Sequence, residues 1–115
     1  MRIRIPPKRI REKFLILYEL NGAKKAVNYL SDYYGVRRIK IVLDGRRVPK
    51  GYDGLYFNKK AYFTRRGLRR RIVLHEFYHH FAQEKGLELP LSVEERQAYK
   101  YASEFLRKCA FQGQN

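Results

Sequence analysis

Every histidine of this 115-residue chain falls within His75-Glu76-Phe77-Tyr78-His79-His80. That spacing constrains the fold more than any other feature. On a helix, residues four apart stand one above the other on the same face. His75 and His79 can then aim two ring nitrogens at one ion, while Glu76, one residue on, sits beside it. The flanks agree: Ile72, Val73, Leu74, Phe77 and Phe81 are apolar, and a helix is expected from Leu68 to Lys85, stopped by Gly86. Phe77 and Tyr78 are expected to anchor it in the core. His80 points about 100° away from His79 and is expected at the surface or behind the ligands, not on the ion.

The chemistry follows from the residue types. Two imidazoles suit zinc, which lowers the pKa of a water towards neutrality and polarises a carbonyl. Glu76 is placed to take a proton, as general base. This is the physical content of the HExxH pattern. The plain alternative is a helix with surface histidines and a salt-bridged Glu76. A catalytic zinc site needs a third protein ligand, and no histidine remains. Cys109 lies far along the last helix, Glu84 shares the histidine helix, Glu88 falls in a turn, and Glu104 lies deep in the final helix. That leaves Glu94 and Glu95. Glu95 shares a helical face with Ala98 and Ala102, small residues that permit close approach of two helices. Glu94 shares Ala98 but also bulky Tyr101 and Phe105. Glu95 is therefore the expected ligand, with Glu94 the alternative. The Ser92-x-x-Glu95 spacing also reads as a capping box.

Elsewhere the pattern is helical over 9–20 and again over 23–34, with Asn21-Gly22 and Gly35 as stops. Residues 38–43 are β-branched and end at Asp44-Gly45, which predicts a strand and turn. Residues 54–57 and 61–64 flank Asn58-Lys59-Lys60 as a hairpin. A last helix runs from about Ser92 to Lys108. Without repeats or a linker, the expectation is one α+β domain over 1–115: amino-terminal helices, a sheet of about three strands, the HExxH helix and a glutamate helix.

At this point the chain resembles a known family. His75-Glu76-x-x-His79 followed by Glu95-x-x-Ala98 is similar to the gluzincin metallopeptidases. Glu95-Arg96-Gln97-Ala98-Tyr99-Lys100-Tyr101-Ala102 resembles the glutamate helix of the ImmA/IrrE-type metallopeptidases, which are linked to regulation of repressors and transcription factors. The short chain and its element order are most like the archaeal minigluzincins. The resemblance implies a minimal zincin-like domain with one catalytic Zn2+ on His75, His79 and Glu95, and with Glu76 as general base and acid. It also implies a peptide or protein substrate held in extended form along a strand, residues 54–57. Many gluzincins place Asp where this chain has Tyr99, to orient the first histidine. The minigluzincin likeness further implies latency, with either the Pro6-Pro7 arm or the Gln112-Gly113-Gln114-Asn115 tail in the cleft. Tyr99, Tyr101 and His80 are the candidates for stabilising an oxyanion.

Charge supplies the rival reading. Lys and Arg total 26 against 11 Asp and Glu, a formal net charge of +15, which favours anionic partners. Arg65, Arg66, Arg69, Arg70 and Arg71 form a run before the motif, which Arg37, Arg38, Arg46, Arg47 and Lys50 thicken if the sheet lies nearby. Tyr56, Tyr62 and Phe63 offer rings for stacking on bases. The alternative is thus a basic, nucleic-acid-associated domain whose zinc is structural or vestigial. The single cysteine fits a reducing interior, and no apolar run is long enough to span a bilayer. A cytoplasmic protein without membrane contact is the expectation.

Overall fold

The computed structural model describes residues 4–110, the side chains of 108–110 excepted. Four helices and a three-stranded mixed sheet form an α+β domain. Helices α1 (Lys8–Asn21) and α2 (Ala23–Tyr34) form an amino-terminal hairpin. Strands β1 (Lys40–Leu43), β2 (Gly54–Phe57) and β3 (Lys60–Phe63) follow, with a 3-10 turn, Gly45–Arg47, after β1. Helices α3 (Arg70–Glu84) and α4 (Leu91–Ala110) close the chain.

The sheet order is β1-β3-β2, with β1 parallel and β2 antiparallel to the central β3. Both β1 and β2 are therefore edges. The register puts Leu43, Phe63 and Gly54 in one row across the sheet, and Val42, Tyr62 and Leu55 in the next. Side chains alternate between faces along a strand. Ala61 and Phe63 are buried, Tyr56 reaches His80, and the Cα of Gly54 looks onto Ile72 of α3. This inner face lies on the helices. Lys40, Val42, Leu55, Phe57, Lys60 and Tyr62 take the opposite face.

The core joins Phe14 of α1, Val27 and Leu30 of α2, Leu74, Phe77 and Tyr78 of α3, and Ala98, Ala102 and Phe105 of α4. The most extensive packed seam lies between α3 and α4. Ala98 and Ala102 on α4, both essentially inaccessible, are the small residues that such a close seam requires. Phe77 and Tyr78 are each 1% exposed, as the sequence predicts.

Two glycines set the ends of the functional helix. Gly86 has φ +67°, and with Leu87 N–H donating to Ala82 O and Gly86 N–H to Gln83 O it ends α3 in a left-handed cap that costs a glycine little. Gly67 lies where a Cβ would meet Asp53 O at 1.9 Å. That close approach lets Thr64 N–H donate to Asp53 O, and Gly67 N–H to Thr64 O, tying the start of β2 to the turn before α3.

Some details depart from expectation. β1 begins at Lys40, not at 38, because Arg38 is drawn to Asp32 at 2.7 Å. The hairpin loop is Asn58-Lys59 alone, both with positive φ (53° and 65°), the geometry of a two-residue turn matched to strand twist. Helix α4 starts at Leu91, where Pro90 O accepts from Val93 and Glu94 N–H. Ser92 is thus inside the helix and the Ser92–Glu95 capping box does not form. Proline supplies the first helical carbonyl two residues earlier, leaving Glu95 free to turn elsewhere.

Candidate metal centre

Helix α3 carries His75, Glu76 and His79 on the side that meets β2 and the first turn of α4. His75, His79 and Glu95 each offer a ligand atom, and these atoms lie within 4.8 Å of one another. His75 Nε2 is 2.9 Å from Glu95 Oε1, and His79 Nε2 is 3.0 Å from Glu95 Oε2. Glu95 thus stands between the two imidazoles that the sequence pairs with it.

Glu94, the alternative ligand, takes another place. Its Oε2 is 2.5 Å from Nδ1 of His79. A carboxylate only accepts, so Nδ1–H donates to Glu94 and the lone pair of His79 is left on Nε2. That atom is buried and has no hydrogen-bond partner, because its neighbour at 3.0 Å, Glu95 Oε2, is also an acceptor. A cation held between these two acceptors would satisfy both. The spacings also approach the roughly 3.3 Å that separates two atoms each about 2.0–2.1 Å from one tetrahedral ion. The residues present therefore fit a zinc-sized cation.

Glu76 is 8% exposed. Burial pushes its carboxyl up to about 7, moderated by the neighbouring His79 and by a backbone hydrogen bond from Tyr56, with Glu95 adding to the rise. His75 is pulled below the ordinary imidazole value, chiefly by desolvation, against which the Glu95 carboxylate works. These groups open into a cleft of about 770 Å³, whose walls include Tyr52, Leu55 and Tyr56 on one side and Leu87, Leu91 and Glu94 on the other. The strand expected to hold substrate, β2, is an edge strand and lines this cleft.

His80 is neither a surface residue nor a ligand. It is fully buried, its Nε2 2.6 Å from Arg37 O and its Nδ1 2.9 Å from Tyr56 Oη. A carbonyl accepts, so Nε2–H donates to Arg37 and Nδ1 accepts from the Tyr56 hydroxyl. With Glu76 and His80 one turn apart, α3 holds Tyr56 through both backbone and phenol. Nothing in a single sequence marks this pairing, since Tyr56 and Arg37 are remote in the chain.

The role of Glu94 is nearer to hand. It directly precedes Glu95, so the pair diverges by about 100° around α4 and reaches both nitrogens of His79. Tyr99 does not take up any orienting role on His75: it is 61% exposed, with Arg71 Cζ 5.6 Å over its ring. Tyr101 is buried against Tyr34 Oη at 3.2 Å, away from the cleft lining. Pro6 is buried and its carbonyl accepts from Arg11. No described amino-terminal residue lines the cleft, so the Pro6-Pro7 arm does not plug it. The 112–115 tail lies outside the described residues.

The arginine run does not form one patch. Arg69 turns to Asp53 at 3.8 Å, Arg70 lies in the field of Tyr18 on α1, and Arg71 donates to Ser103 Oγ on α4. A helix spreads consecutive residues about 100° apart, and here α3 disperses its arginines around its first turn. Among the described residues no helix is long and apolar enough to cross a membrane.

No family model, curated protein or solved structure matches the chain.

Proposed function

We propose that this chain is a zinc-dependent metallopeptidase of gluzincin type, with His75, His79 and Glu95 as ligands and Glu76 as general base. The observation that carries the reading is the buried, unpartnered Nε2 of His79 facing a carboxylate oxygen 3.0 Å away. Zinc, when held there, supplies Lewis acidity and a water that ionises near neutral pH. The chain supplies the rest. Glu94 fixes the tautomer of His79 so that its lone pair faces Glu95, a partnership that raises the basicity of a ligating imidazole. Glu76, buried and with its proton affinity raised, accepts the proton of the water that attacks the peptide carbonyl. It then delivers that proton to the leaving amine. The free edge of β2 beside Glu76 offers main-chain hydrogen bonds to an extended peptide, and apolar Leu87 and Leu91 exclude water around it.

A structural zinc site is normally closed by four protein ligands. Among the described residues three groups converge, and they face a cleft, which favours catalysis over a structural role. Metal analysis and peptide cleavage on three proteins test the proposal. Wild type and Glu76→Gln should each hold one zinc while only wild type cleaves, and Glu95→Ala should lose the metal. A wild-type chain that binds no zinc sinks the ligand set and the mechanism together. A zinc-loaded chain inert towards a diverse peptide mixture removes the peptidase half.

A further inference from the structure

One face of the sheet has no helix on it. Ala61, Phe63, Ile41 and Tyr56 belong to the core or pack against it, whereas Val42, Leu55, Phe57 and Tyr62 do not. On the uncovered face the register sets Lys40 beside Lys60 beside Phe57, and Val42 beside Tyr62 beside Leu55. Lys40 and Lys60 are exposed, and Phe57 is 64% exposed, an unusual place for a large aromatic ring. Phe57 and Tyr62 are diagonal neighbours on adjacent strands, roughly 7–8 Å apart at the backbone. The turn after β1 folds back so that Arg47 Cζ lies 5.7 Å over the Tyr62 ring.

The opposite end of the sheet, just past Leu43 and Phe63, gathers further cations from separate parts of the chain. The Cα of Gly45 abuts Thr64, which brings Arg46-Arg47 next to the stretch leading into Arg65-Arg66. Asp44 engages Arg46 at 3.1 Å. Arg65, Arg66, Lys40 and Lys60 have no acidic partner among the described residues, while Arg47 shares the field of Asp44 with Arg46. An aromatic platform framed by unpaired cations matches a chain of alternating phosphates and exposed base faces.

We propose that the open face of the β1-β3-β2 sheet binds single-stranded nucleic acid. Phe57 and Tyr62, the latter extended by the Arg47 guanidinium plane, stack on bases, while Lys40, Lys60, Arg65 and Arg66 meet the phosphates. Stacking is what separates this occupant from the alternatives. A duplex hides its base faces and would use the cations alone. A bilayer would need a broader apolar face than one exposed Phe at the end of a row that two lysines begin.

Fluorescence anisotropy with labelled 12-nucleotide dT and U strands, a 12-base-pair duplex and phosphatidylserine vesicles tests it on the full chain. Single strands should bind more tightly than duplex, and DNA against RNA is resolved by the dT and U arms. Phe57→Ala, at an exposed position, should weaken single-strand binding at least about fivefold, the low end for loss of one stacked base. Lys40→Gln with Lys60→Gln should lower the slope of log K against log salt by about 0.7 per cation removed. Arg70→Gln with Arg71→Gln, on the helix away from this face, should leave the single-strand preference intact. Circular dichroism confirms that each variant is folded.

Equal binding of duplex, indifference to Phe57→Ala, or the same loss from the Arg70/Arg71 pair would overturn the proposal in favour of diffuse attraction by net charge. Vesicle binding that depends on Phe57, without oligonucleotide binding, would overturn it in favour of a membrane. None of these readings depends on zinc or on Glu76, so the surface stands or falls apart from the peptidase proposal.

Discussion

Glu94 Oε2 lies 2.5 Å from His79 Nδ1, so one carboxylate of the Glu94-Glu95 pair orients an imidazole while the other faces its opposite nitrogen. Consecutive glutamates thus have different chemistry, and substitution should separate them. Glu95→Ala should abolish stoichiometric zinc binding. Glu94→Gln keeps an acceptor for Nδ1–H but removes its charge, and should weaken zinc affinity about 10–100-fold without eliminating it. Competition titration against a zinc chelator of known affinity reads both. Equal affinities for the two variants would show that the assignment is wrong.

Zinc should stabilise the fold, because the two histidines and Glu95 come from helices that meet only in the native chain. At a hundredfold excess over Kd the gain is about 2.7 kcal/mol, which for a domain of this size raises Tm by roughly 10 °C or more. Differential scanning fluorimetry with and without a chelator measures it. His79→Gln should show no zinc-dependent shift.

Glu76 makes the metal-free chain pH-sensitive. Its folded carboxyl, held at about 7 by burial, binds a proton that the unfolded chain releases near 4.5. The folded state is therefore relatively favoured below that range and loses stability as pH rises from about 4.5 to about 7. A shift of this size corresponds to on the order of 3 kcal/mol. His75, lowered by desolvation, acts in the opposite sense on the acid side of its unfolded value. The difference between wild type and Glu76→Gln isolates the glutamate. In metal-free urea melts, Gln should gain on wild type progressively from about pH 5 to about pH 8; parallel profiles would refute the burial argument.

The β2–β3 turn contains a correctable strain. Lys59 holds φ +65°, where a side chain costs roughly 1–2 kcal/mol that glycine avoids, against the greater chain entropy that glycine surrenders on folding. Its ion pair with Glu84, at 3.8 Å and half-exposed, offers little in return. Lys59→Gly should raise stability by about 0.5–1 kcal/mol while keeping the two-residue turn, as chemical denaturation would show. A loss would mean that the Glu84 contact matters more than the backbone.

Much of this molecule follows from spacing alone. The four-residue interval between His75 and His79 and the Ala98/Ala102 face shared with Glu95 are local periodicities, so the helices and the convergent trio are legible in the chain itself. Helix starts are less so: the chain enters the helix at Leu91, with the Pro90 carbonyl accepting from Val93 and Glu94, so Ser92 is already inside it and cannot serve as the cap. What the chain alone leaves open depends on contacts between remote residues. Glu94 against His79, Tyr56 against His80 and Arg37, and the outward turn of Tyr62 and Phe57 while Tyr56 and Phe63 turn inward are decided by which sheet face α3 covers. Dispersal of the arginine run follows from the helical period, but packing selects what each arginine meets: Asp53, Tyr18 and Ser103. A linear sequence records which groups exist and their period; packing selects which of them lose water, and with it which must find a partner.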